Sequence, residues 1–455
     1  MTGSSTPDLD PDEQMVAALS DEALAIEFAT TYRDELRFVG AWGKWFHWTG
    51  SVWRQDDTLT HFDLARKITR RIANQLPAGL SAAQSLSEPK RIASAKTVAA
   101  VLALARADRR LSATADQWDQ NDWLLNTPDG VVDLKTGEMR EHRPEDFMTK
   151  MTAVSPGGEC PLWLKFLDQV MAGDPEKIAY LQRVAGYALT GSTKEHALFF
   201  LYGGGANGKG TFVETFSKIM ADYHVKSSID TFTEQQTAQH STNVAGLAGA
   251  RLITVSETQG GRKWDEGKVK ELTGGDAMRA RKMRQDEFTF QPKGKLVISG
   301  NYKPGLRTVD EAIRRRFNLV EFGVKIEKKD RDVDLPEKLV AEWPGILKWA
   351  IEGCLEWQRI GLAPPVSVLA STDEYLDAED AVSRWIADCC TVDVDATEKS
   401  GALWASWVEW AKFYREAGGT HRTFSQALGA KGFERGKGGE RRFKGIKIRE
   451  DQEPM

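Results

Sequence analysis

The sequence predicts a multidomain α/β protein, and three observations support this fold class. The chain has 455 residues, more than one hydrophobic core usually organises, so several domains are expected. Residues 194–322 alternate apolar strands with helical segments, as a wound α/β domain does. From Pro161 onward the hydrophobic pattern becomes helical, whereas short β-patterned segments precede it.

The composition excludes several protein classes. Hydrophobic residues make up 41% of the chain and charged residues 28%, and no apolar run approaches the roughly 18 residues of a membrane helix. We therefore expect no membrane association. The four cysteines have no CxxC spacing and the histidines are scattered, which argues against zinc and disulfides. Residues 1–20 are acidic and lack a secretory signal, so we expect a disordered leader on a cytoplasmic protein.

Residues 21–150 are predicted to form an N-terminal α+β domain. Its predicted elements are a helix over 23–36, an aromatic hairpin over 42–53, helices over 61–75 and 88–108, and a β-meander over 124–142. The alternating aromatics of the hairpin could stack nucleic-acid bases. We interpret them instead as the apolar face of a small sheet, because aromatic residues are favoured there.

Three further segments surround the α/β core, which we assign to residues 194–325. A helical collar is predicted for 151–193, where Asp174 and Pro175 form a helix start. Residues 326–377 are predicted to be mostly helical, and 378–455 to form a winged-helix-like domain with a basic hairpin over 433–448. This end carries nine Lys and Arg against two Glu between 421 and 449. It is therefore a candidate for contact with DNA phosphates through Arg441, Arg442 and Lys444.

A glycine-rich loop lies between a strand over 197–202 and a helix over 212–220, which is the layout of a phosphate-binding loop. Backbone N–H groups of such a loop converge on a phosphate, and Lys209 supplies a charge to its oxygens. Gly210 stands where such loops usually have a Mg²⁺-ligating hydroxyl, so either Thr211 replaces it or water does. The candidate ATP-binding residues are Gly203, Gly205, Ala206, Asn207, Gly208, Lys209, Gly210 and Thr211.

Two later strands end in polar side chains that could serve the same site. The strand over 251–257 ends in Glu257, which we interpret as the general base that polarises the attacking water and, with Thr211, as a candidate Mg²⁺ ligand. The strand over 295–300 ends at Asn301, a candidate sensor of the γ-phosphate. Beyond it, Arg315 and Arg316 could reach the γ-phosphate of a neighbouring subunit, which would explain assembly as a ring.

The motifs GGGANGKGTF, RLITVSET, KELTGGD, SGNYKP and DEAIRRRF occur in one order along the chain. Together they resemble the motif set of superfamily-three helicases of the phage/plasmid and poxvirus primase-helicase type. The resemblance implies an AAA+-like P-loop ATPase core that uses ATP and Mg²⁺, forms a homo-hexamer on single-stranded and forked DNA, and moves 3′ to 5′. It also implies Lys209, Glu257 and Asn301 acting within a subunit and Arg315 or Arg316 acting across subunits.

Other properties of this family are expectations about DNA and partners. The resemblance implies a DNA-contacting hairpin whose tip would be Arg284 and Gln285. The primase-type acidic residues with a companion histidine are not found here, so we expect a separate primase or other replication proteins as partners, in a bacterial host of a phage or mobile element. Two alternatives stay open: an initiator or loader ATPase that remodels a protein–DNA complex, and a weakly hydrolysing structural ring.

Overall fold

A computed structural model describes residues 19–76, 82–234, 241–256, 262–281, 287–306, 309–414, 416, 418–434 and 442–449. The chain divides into two compact units, Met1–Val132 with Met139–Met151 and Asp133–Glu138 with Thr152–Met455. The boundary at residue 151 lies next to the predicted domain boundary at 150. Within the residues described, no helix combines the length and apolarity that crossing a membrane needs.

The first unit combines helices with two small sheets. Its helices are α1 (Asp21–Thr31), α2 (Thr60–Asn74), α3 (Ala82–Ile92) and α4 (Ala95–Ala105), and its strands are β1 (Leu36–Val39), β2 (Lys44–Trp48), β3 (Trp53–Gln55), β4 (Ser112–Ala113), β5 (Leu124–Thr127), β6 (Gly130–Asp133) and β7 (Met139–Arg140). The sheet orders are β3-β2-β1-β4 and β5-β6-β7. Strand β1 pairs with β2 antiparallel and with β4 parallel.

Several predictions for this unit are confirmed and two are wrong. Trp45, Phe46 and Trp53 are buried, so the aromatic hairpin is an apolar sheet face, and the meander is the β5-β6-β7 sheet. The helix predicted over 23–36 ends at Thr31, because the apolar residues that follow it enter β1. The helix predicted over 88–108 is two helices. They separate at Ser94, whose hydroxyl accepts a hydrogen bond from the Thr97 amide at 3.2 Å and caps α4.

The carboxylate of Asp56 holds the start of α2. It accepts hydrogen bonds from the Thr60 and His61 amides at 2.9 and 2.8 Å, and it lies 2.6 Å from His61 Nδ1. Burial alone would raise the pKa of Asp56, but the hydrogen bonds from His61 and Thr60 outweigh it and lower the pKa to about 2. The carboxylate therefore stabilises the folded unit above its unfolded pKa of about 3.9, and this contribution is lost as the pH falls towards 2.

We expect Asp56→Ala to lower the free energy of unfolding by roughly 2 kcal/mol at pH 7. The difference from the unsubstituted protein should shrink as the pH falls from 5 to 2, since the lost interaction needs the ionised carboxylate. Urea unfolding followed by circular dichroism at several pH values measures this. Asp63→Ala, which removes an exposed carboxylate of the same helix, is the control. A difference that stays constant down to pH 2 would contradict the assignment.

The second unit contains the parallel sheet and the helices around it. Its helices are α5 (Pro161–Val170), α6 (Pro175–Leu189), α7 (Lys209–Met220), α8 (Ser241–Ala245), α9 (Glu266–Gly274), α10 (Glu311–Arg314), α11 (Leu335–Lys338), α12 (Trp343–Ile360), α13 (Val366–Glu379), α14 (Ala381–Cys389), α15 (Ser400–Phe413) and α16 (His421–Ala430). Its strands are β8 (Leu198–Tyr202), β9 (His224–Ser228), β10 (Leu252–Ser256), β11 (Met278–Arg281), β12 (Glu287–Phe290), β13 (Lys295–Gly300), β14 (Phe317–Glu321), β15 (Cys390–Lys399) and β16 (Arg442–Ile448).

Five strands form a parallel sheet in the order β14-β8-β13-β10-β9. Each neighbouring pair is parallel, so all five carboxyl ends meet at one edge of the sheet. The strands β8, β10, β13 and β14 are apolar nearly throughout because both of their faces are covered. This confirms the predicted alternation of strands and helices, and it places the residues that follow β8, β10 and β13 close together.

The helices before and after the sheet pack against each other. Helix α6, capped by Asp174 as predicted, crosses α12 with backbone almost touching backbone. A Cβ atom on Gly186 would lie 2.0 Å from the Cys354 nitrogen, and one on Gly353 would lie 2.1 Å from the Gln182 oxygen. The predicted collar and the helical segment after the core therefore meet in this glycine-mediated contact.

The C-terminal segment packs three helices against a two-stranded sheet. Its core contains Trp385, Trp407, Phe424, Phe443 and Ile446. The predicted hairpin over 433–448 is only partly right, since β16 pairs along its length with β15, a strand that was not predicted. Burial of Phe443 and Ile446 against the apolar residues of α14 and α15 stabilises this arrangement.

Candidate nucleotide-binding site

The glycine-rich loop lies between β8 and α7 at the carboxyl edge of the sheet. Gly203 has φ 142°, and a Cβ there would lie 2.3 Å from the Phe322 oxygen. Gly208 has φ 87°, and a Cβ there would lie 2.5 Å from Cγ1 of Val170. Both positions need glycine because of backbone conformation and close packing. Helix α5, which carries Val170, thus lies directly against the end of the loop.

The remaining loop positions are open on their outer side. A Cβ added to Gly204, Gly205 or Gly210 would meet no atom within 4 Å. Ala206 has φ 61°, a left-handed conformation unusual for a residue with a side chain. Helix α7 begins at Lys209 without a side-chain cap, so amides of its first turn are directed towards this open space. The loop can therefore present backbone donors to an anion.

Asn207 fastens the loop to the strand beside it. Its side chain is buried, and Nδ2 donates to the Phe322 oxygen at 2.9 Å. Its Oδ1 accepts from the backbone nitrogen and from Nζ of Lys209, at 3.4 and 3.3 Å. The Ile326 amide donates to the Ala206 oxygen at 2.9 Å. These contacts fix the loop at its middle and leave Gly204 and Gly205 open to a ligand.

Lys209 is buried at the centre of the loop. Its Nζ donates to the Gly203 oxygen at 2.6 Å and to Oδ1 of Asn301 at 3.3 Å. Burial lowers the pKa of Lys209, because removal from water disfavours the charged form. A negatively charged phosphate oxygen next to Nζ would stabilise the ammonium and so offset the effect of burial. The structure thus brings together two of the predicted site residues, Lys209 and Asn301.

A second cation stands beside Asn301 and was not among the predicted residues. Lys303 Nζ lies 4.1 Å from the ring centroid of Tyr202 and 5.5 Å from that of Tyr375. Burial lowers the pKa of Lys303. The signal that could have identified it is its place in the sequence, two residues after Asn301 and therefore near the same sheet edge as the loop.

Of the predicted general base and Mg²⁺ ligands, the structure describes Thr211 but not Glu257. Strand β10 lies between β13 and β9, and its last residue, Ser256, is exposed at the carboxyl edge. Glu257 lies outside the described residues. Thr211 is in the first turn of α7 and is partly buried. Within the described ranges, no group of three or more His, Cys, Asp or Glu is arranged to hold a metal ion. The assignment of Thr211 and Glu257 to Mg²⁺ remains a prediction.

The arginine cluster lies at the opposite edge of the sheet. The Leu198 amide donates to the Arg316 oxygen at 2.7 Å, which places Arg316 beside the start of β8. The five residues of β8 separate this point from the loop by about 16 Å. Arg316 is buried and donates through Nε to Thr273 Oγ1 at 3.0 Å, whereas Arg315 is exposed. The structure therefore does not bring Arg315 or Arg316 to Lys209 of the same chain.

The predicted DNA contacts lie in two other places. Strands β11 and β12 pair antiparallel and flank residues 282–286; Arg284 and Gln285 belong to this stretch and lie outside the described residues, as does Arg441. Arg442 and Lys444 are exposed on β16, where they alternate with buried Phe443. Lys444 stands opposite Thr397 of β15, and Arg442 opposite Lys399.

Two family profiles match parts of the chain. A profile described as D5 N terminal like matches residues 25–172, and one described as a family of unknown function (DUF5906) matches residues 201–316. The second match contains the glycine-rich loop, Asn301 and the arginine cluster. In fold, the chain is similar to the C-terminal region of NrS-1, with 10% identity, a TM-score of 0.50, and coverage of 94% of this chain and 100% of that one.

Relatives come from large DNA viruses. The chain is 25% identical over 321 residues to "Putative helicase L207/L206" of Acanthamoeba polyphaga mimivirus, covering 65% of this chain and 33% of that protein. It is 23% identical over 337 residues to "Putative helicase 022R" of Frog virus 3 (isolate Goorha), covering 69% and 33%. It is 27% identical over 146 residues to "Primase D5" of Fowlpox virus (strain NVSL), covering 31% and 18%.

The chain thus spans a third or less of the length of these three relatives. The N-terminal profile and the helicase and primase relatives agree with the resemblance that the ordered motifs carry. These matches support the similarity to poxvirus-type D5 primase-helicases, and the N-terminal profile places it at residues 25–172.

Proposed function

We propose that this chain is the motor part of an ATP-dependent DNA helicase that serves the replication of phage, plasmid or viral DNA in the cytoplasm of the host. The observation that carries the proposal is the contact of Lys209 with Asn301, 3.3 Å apart, where the phosphate loop and the tip of β13 share one sheet edge. The names of the relatives support DNA as the substrate. The proposal includes an AAA+-like P-loop core.

In this proposal, ATP lies with its phosphates along the loop from Gly203 to Thr211. Lys209 would exchange its carbonyl contacts for β- and γ-phosphate oxygens, and Asn301 would contact the γ-phosphate. Glu257 would orient the attacking water, and Thr211 would help to hold Mg²⁺. When bound, Mg²⁺ would neutralise charge on the transferring phosphoryl group. The open space around Gly204, Gly205 and Gly210 supports this arrangement because the backbone can approach the phosphates.

We propose that the arginines act across subunits because they and the loop occupy opposite edges of the same sheet, and that the assembly is a homo-hexameric ring because the resemblance to superfamily-three helicases implies it. A side chain of Arg315 cannot span the length of β8, so its contact with a γ-phosphate requires a second copy of the chain. Arg315 is the better candidate, since its side chain is exposed while Arg316 hydrogen-bonds Thr273 Oγ1 and the Ala312 oxygen at 3.0 and 2.7 Å.

We expect Arg315→Ala to reduce ATP turnover at least about a hundredfold without changing the affinity for ATP or the melting temperature. Arg316→Ala should also lower the melting temperature, because it removes two hydrogen bonds, one of them buried. Mixing Arg315→Ala subunits with Glu257→Gln subunits should restore part of the activity, since an intact arginine then adjoins an intact site. A mixture no more active than either variant alone would argue against action across subunits.

DNA contacts are proposed at two places. The hairpin of β11 and β12 would contact single-stranded DNA through Arg284 and Gln285, and β16 would contact phosphates through Arg442 and Lys444, together with Arg441. The order of helix, strand, helix pair and strand from α14 to β16 supports a winged-helix-like domain, a fold suited to DNA. The exposed cations of β16, alternating with a buried core, support its role in backbone contact.

Strand displacement tests the proposal. With ATP and Mg²⁺, the protein should unwind a forked substrate that has a 3′ single-stranded tail and should leave one with only a 5′ tail intact. Single-stranded DNA should stimulate ATP hydrolysis. DNA-stimulated hydrolysis without strand displacement from either tail would favour an initiator or loader ATPase instead. ATP binding with negligible hydrolysis would favour a structural ring. Either of these two results would refute the helicase proposal.

A further inference from the structure

Helix α13 contacts the loop after Asn301 and also the arginine helix α10. It lies against β14, where Thr372 Oγ1 accepts a hydrogen bond from the Leu319 amide at 3.0 Å. Its side chains are therefore anchored to the edge strand of the sheet. No role was predicted for this helix from the sequence.

On one side, α13 holds the loop that begins at Asn301. The Tyr375 hydroxyl donates to the Pro304 oxygen and accepts from Trp264 Nε1 at 3.1 Å. The Leu306 amide donates to Glu379 Oε2 at 2.9 Å. The Tyr375 ring also faces the Lys303 ammonium. A displacement of this loop would therefore act directly on α13.

On its other side, α13 holds α10 through Arg314. Nη1 of Arg314 contacts Asp373 Oδ1 at 2.9 Å, and Nη2 contacts Asp377 Oδ1 at 2.8 Å. The two aspartates are one helical turn apart and share one face of α13. All three side chains are more than a third exposed, so these ion pairs add little stability. A planar guanidinium held at both nitrogens nevertheless has a fixed orientation.

Further side-chain contacts hold helix α10 in a fixed orientation. Asp310 Oδ1 accepts from the Ile313 amide at 2.8 Å and caps the helix, while Asp310 Oδ2 meets Lys270 Nζ at 2.6 Å. A helix of four residues cannot hold its orientation by its own hydrogen bonds. Its direction, and that of the exposed Arg315 that follows it, is therefore set by these side chains together with Ile313, which is buried in the core, and Arg316, which donates to the Ala312 oxygen.

We propose that Asp373 and Asp377 are positioning residues for Arg315, and that α13 transmits the position of the Asn301 loop to it. In one copy of the chain, a change at the γ-phosphate would move the loop, α13 and α10 together. This movement would change the position of Arg315 relative to the ATP site of the neighbouring copy. This inference rests on the proposed function, since it assigns the coupling between successive ATP sites.

The test is the double variant Asp373→Asn with Asp377→Asn, which keeps side-chain size and removes both charges. Steady-state ATP hydrolysis with single-stranded DNA should show kcat lowered about ten- to a hundredfold, with KM for ATP changed less than about twofold. The Hill coefficient for ATP should approach one. Asp373→Glu with Asp377→Glu should recover most of the activity because it restores the carboxylates.

A matched control is Asp332→Asn with Glu356→Gln, which removes the carboxylates of two exposed ion pairs elsewhere in this unit. It should leave kcat, KM and the Hill coefficient unchanged. A double aspartate variant with unchanged kcat and Hill coefficient, or one whose loss the control reproduces, overturns the inference while leaving the helicase proposal standing. A large fall in its melting temperature would also overturn it. An unsubstituted protein without ATP hydrolysis overturns both.

Discussion

Lys209→Ala is expected to reduce ATP hydrolysis at least about a hundredfold and to abolish strand displacement. The Lys209 ammonium is the charged group at the centre of the loop, 2.6 Å from the Gly203 oxygen and 3.3 Å from Oδ1 of Asn301. Alanine removes the charge that would meet the γ-phosphate as negative charge moves during transfer. Nucleotide affinity measured by fluorescence anisotropy should fall as well.

Lys218→Ala is the matched control for this prediction. Lys218 lies on the same helix α7, but it is exposed and pairs with Glu214, so its replacement should leave hydrolysis unchanged. Lys209→Met keeps an unbranched buried side chain without charge and should be as inactive as Lys209→Ala. Unwinding at the rate of the unsubstituted protein by either Lys209 variant would refute the proposed mechanism.

Gly353→Ala is expected to be the most destabilising single substitution considered, with a loss of at least about 3 kcal/mol in the free energy of unfolding. A Cβ on Gly353 would lie 2.1 Å from the Gln182 oxygen and 2.6 Å from its carbonyl carbon. These are backbone atoms of α6, so no rotamer change can relieve the overlap, and the two helices must separate. Chemical unfolding of the whole chain measures the effect.

Gly401→Ala provides the control because Gly401 lies in helix α15 and a Cβ there meets no atom within 4 Å. Alanine usually stabilises an exposed helical position relative to glycine, so this variant should be at least as stable as the unsubstituted protein. Gly186→Ala, on the facing helix, should resemble Gly353→Ala. A Gly353→Ala protein of unchanged stability would mean that α6 and α12 are not in backbone contact.

The sequence predicts the local features of this chain better than its long-range contacts. The strand, loop and helix around Lys209 are adjacent in the sequence, so apolar pattern and glycine placement identify them. Asn301 is identified because parallel strands end at a common edge. In contrast, the contact of Gly186 with Gly353 joins residues far apart in the chain, and glycines in a helical pattern have no periodic signal. The same holds for Arg314, whose partners Asp373 and Asp377 belong to a distant helix.

Errors in the predicted elements have similar causes. The helix predicted over 88–108 was wrong because one residue, Ser94, can cap a new helix within a continuous helical pattern. The partner of β16 was missed because β15 contains polar and acidic residues, with a register shift between Val392 and Thr397. Strand β15 is extended because it pairs with β16, and a pairing between segments far apart in the chain leaves no signal in the local sequence.

The separation of Arg315 from the glycine loop by the full length of β8 also constrains the symmetry of any assembly that uses both. Two copies related by a two-fold axis pair the same patch, so each arginine would meet the other copy's loop only if both lay within that one patch. When the two surfaces lie in separate patches, their contact is head-to-tail and leaves one of each unfilled until the assembly closes. The rotation between successive copies then determines whether it closes as a ring of fixed number or continues as a helical filament.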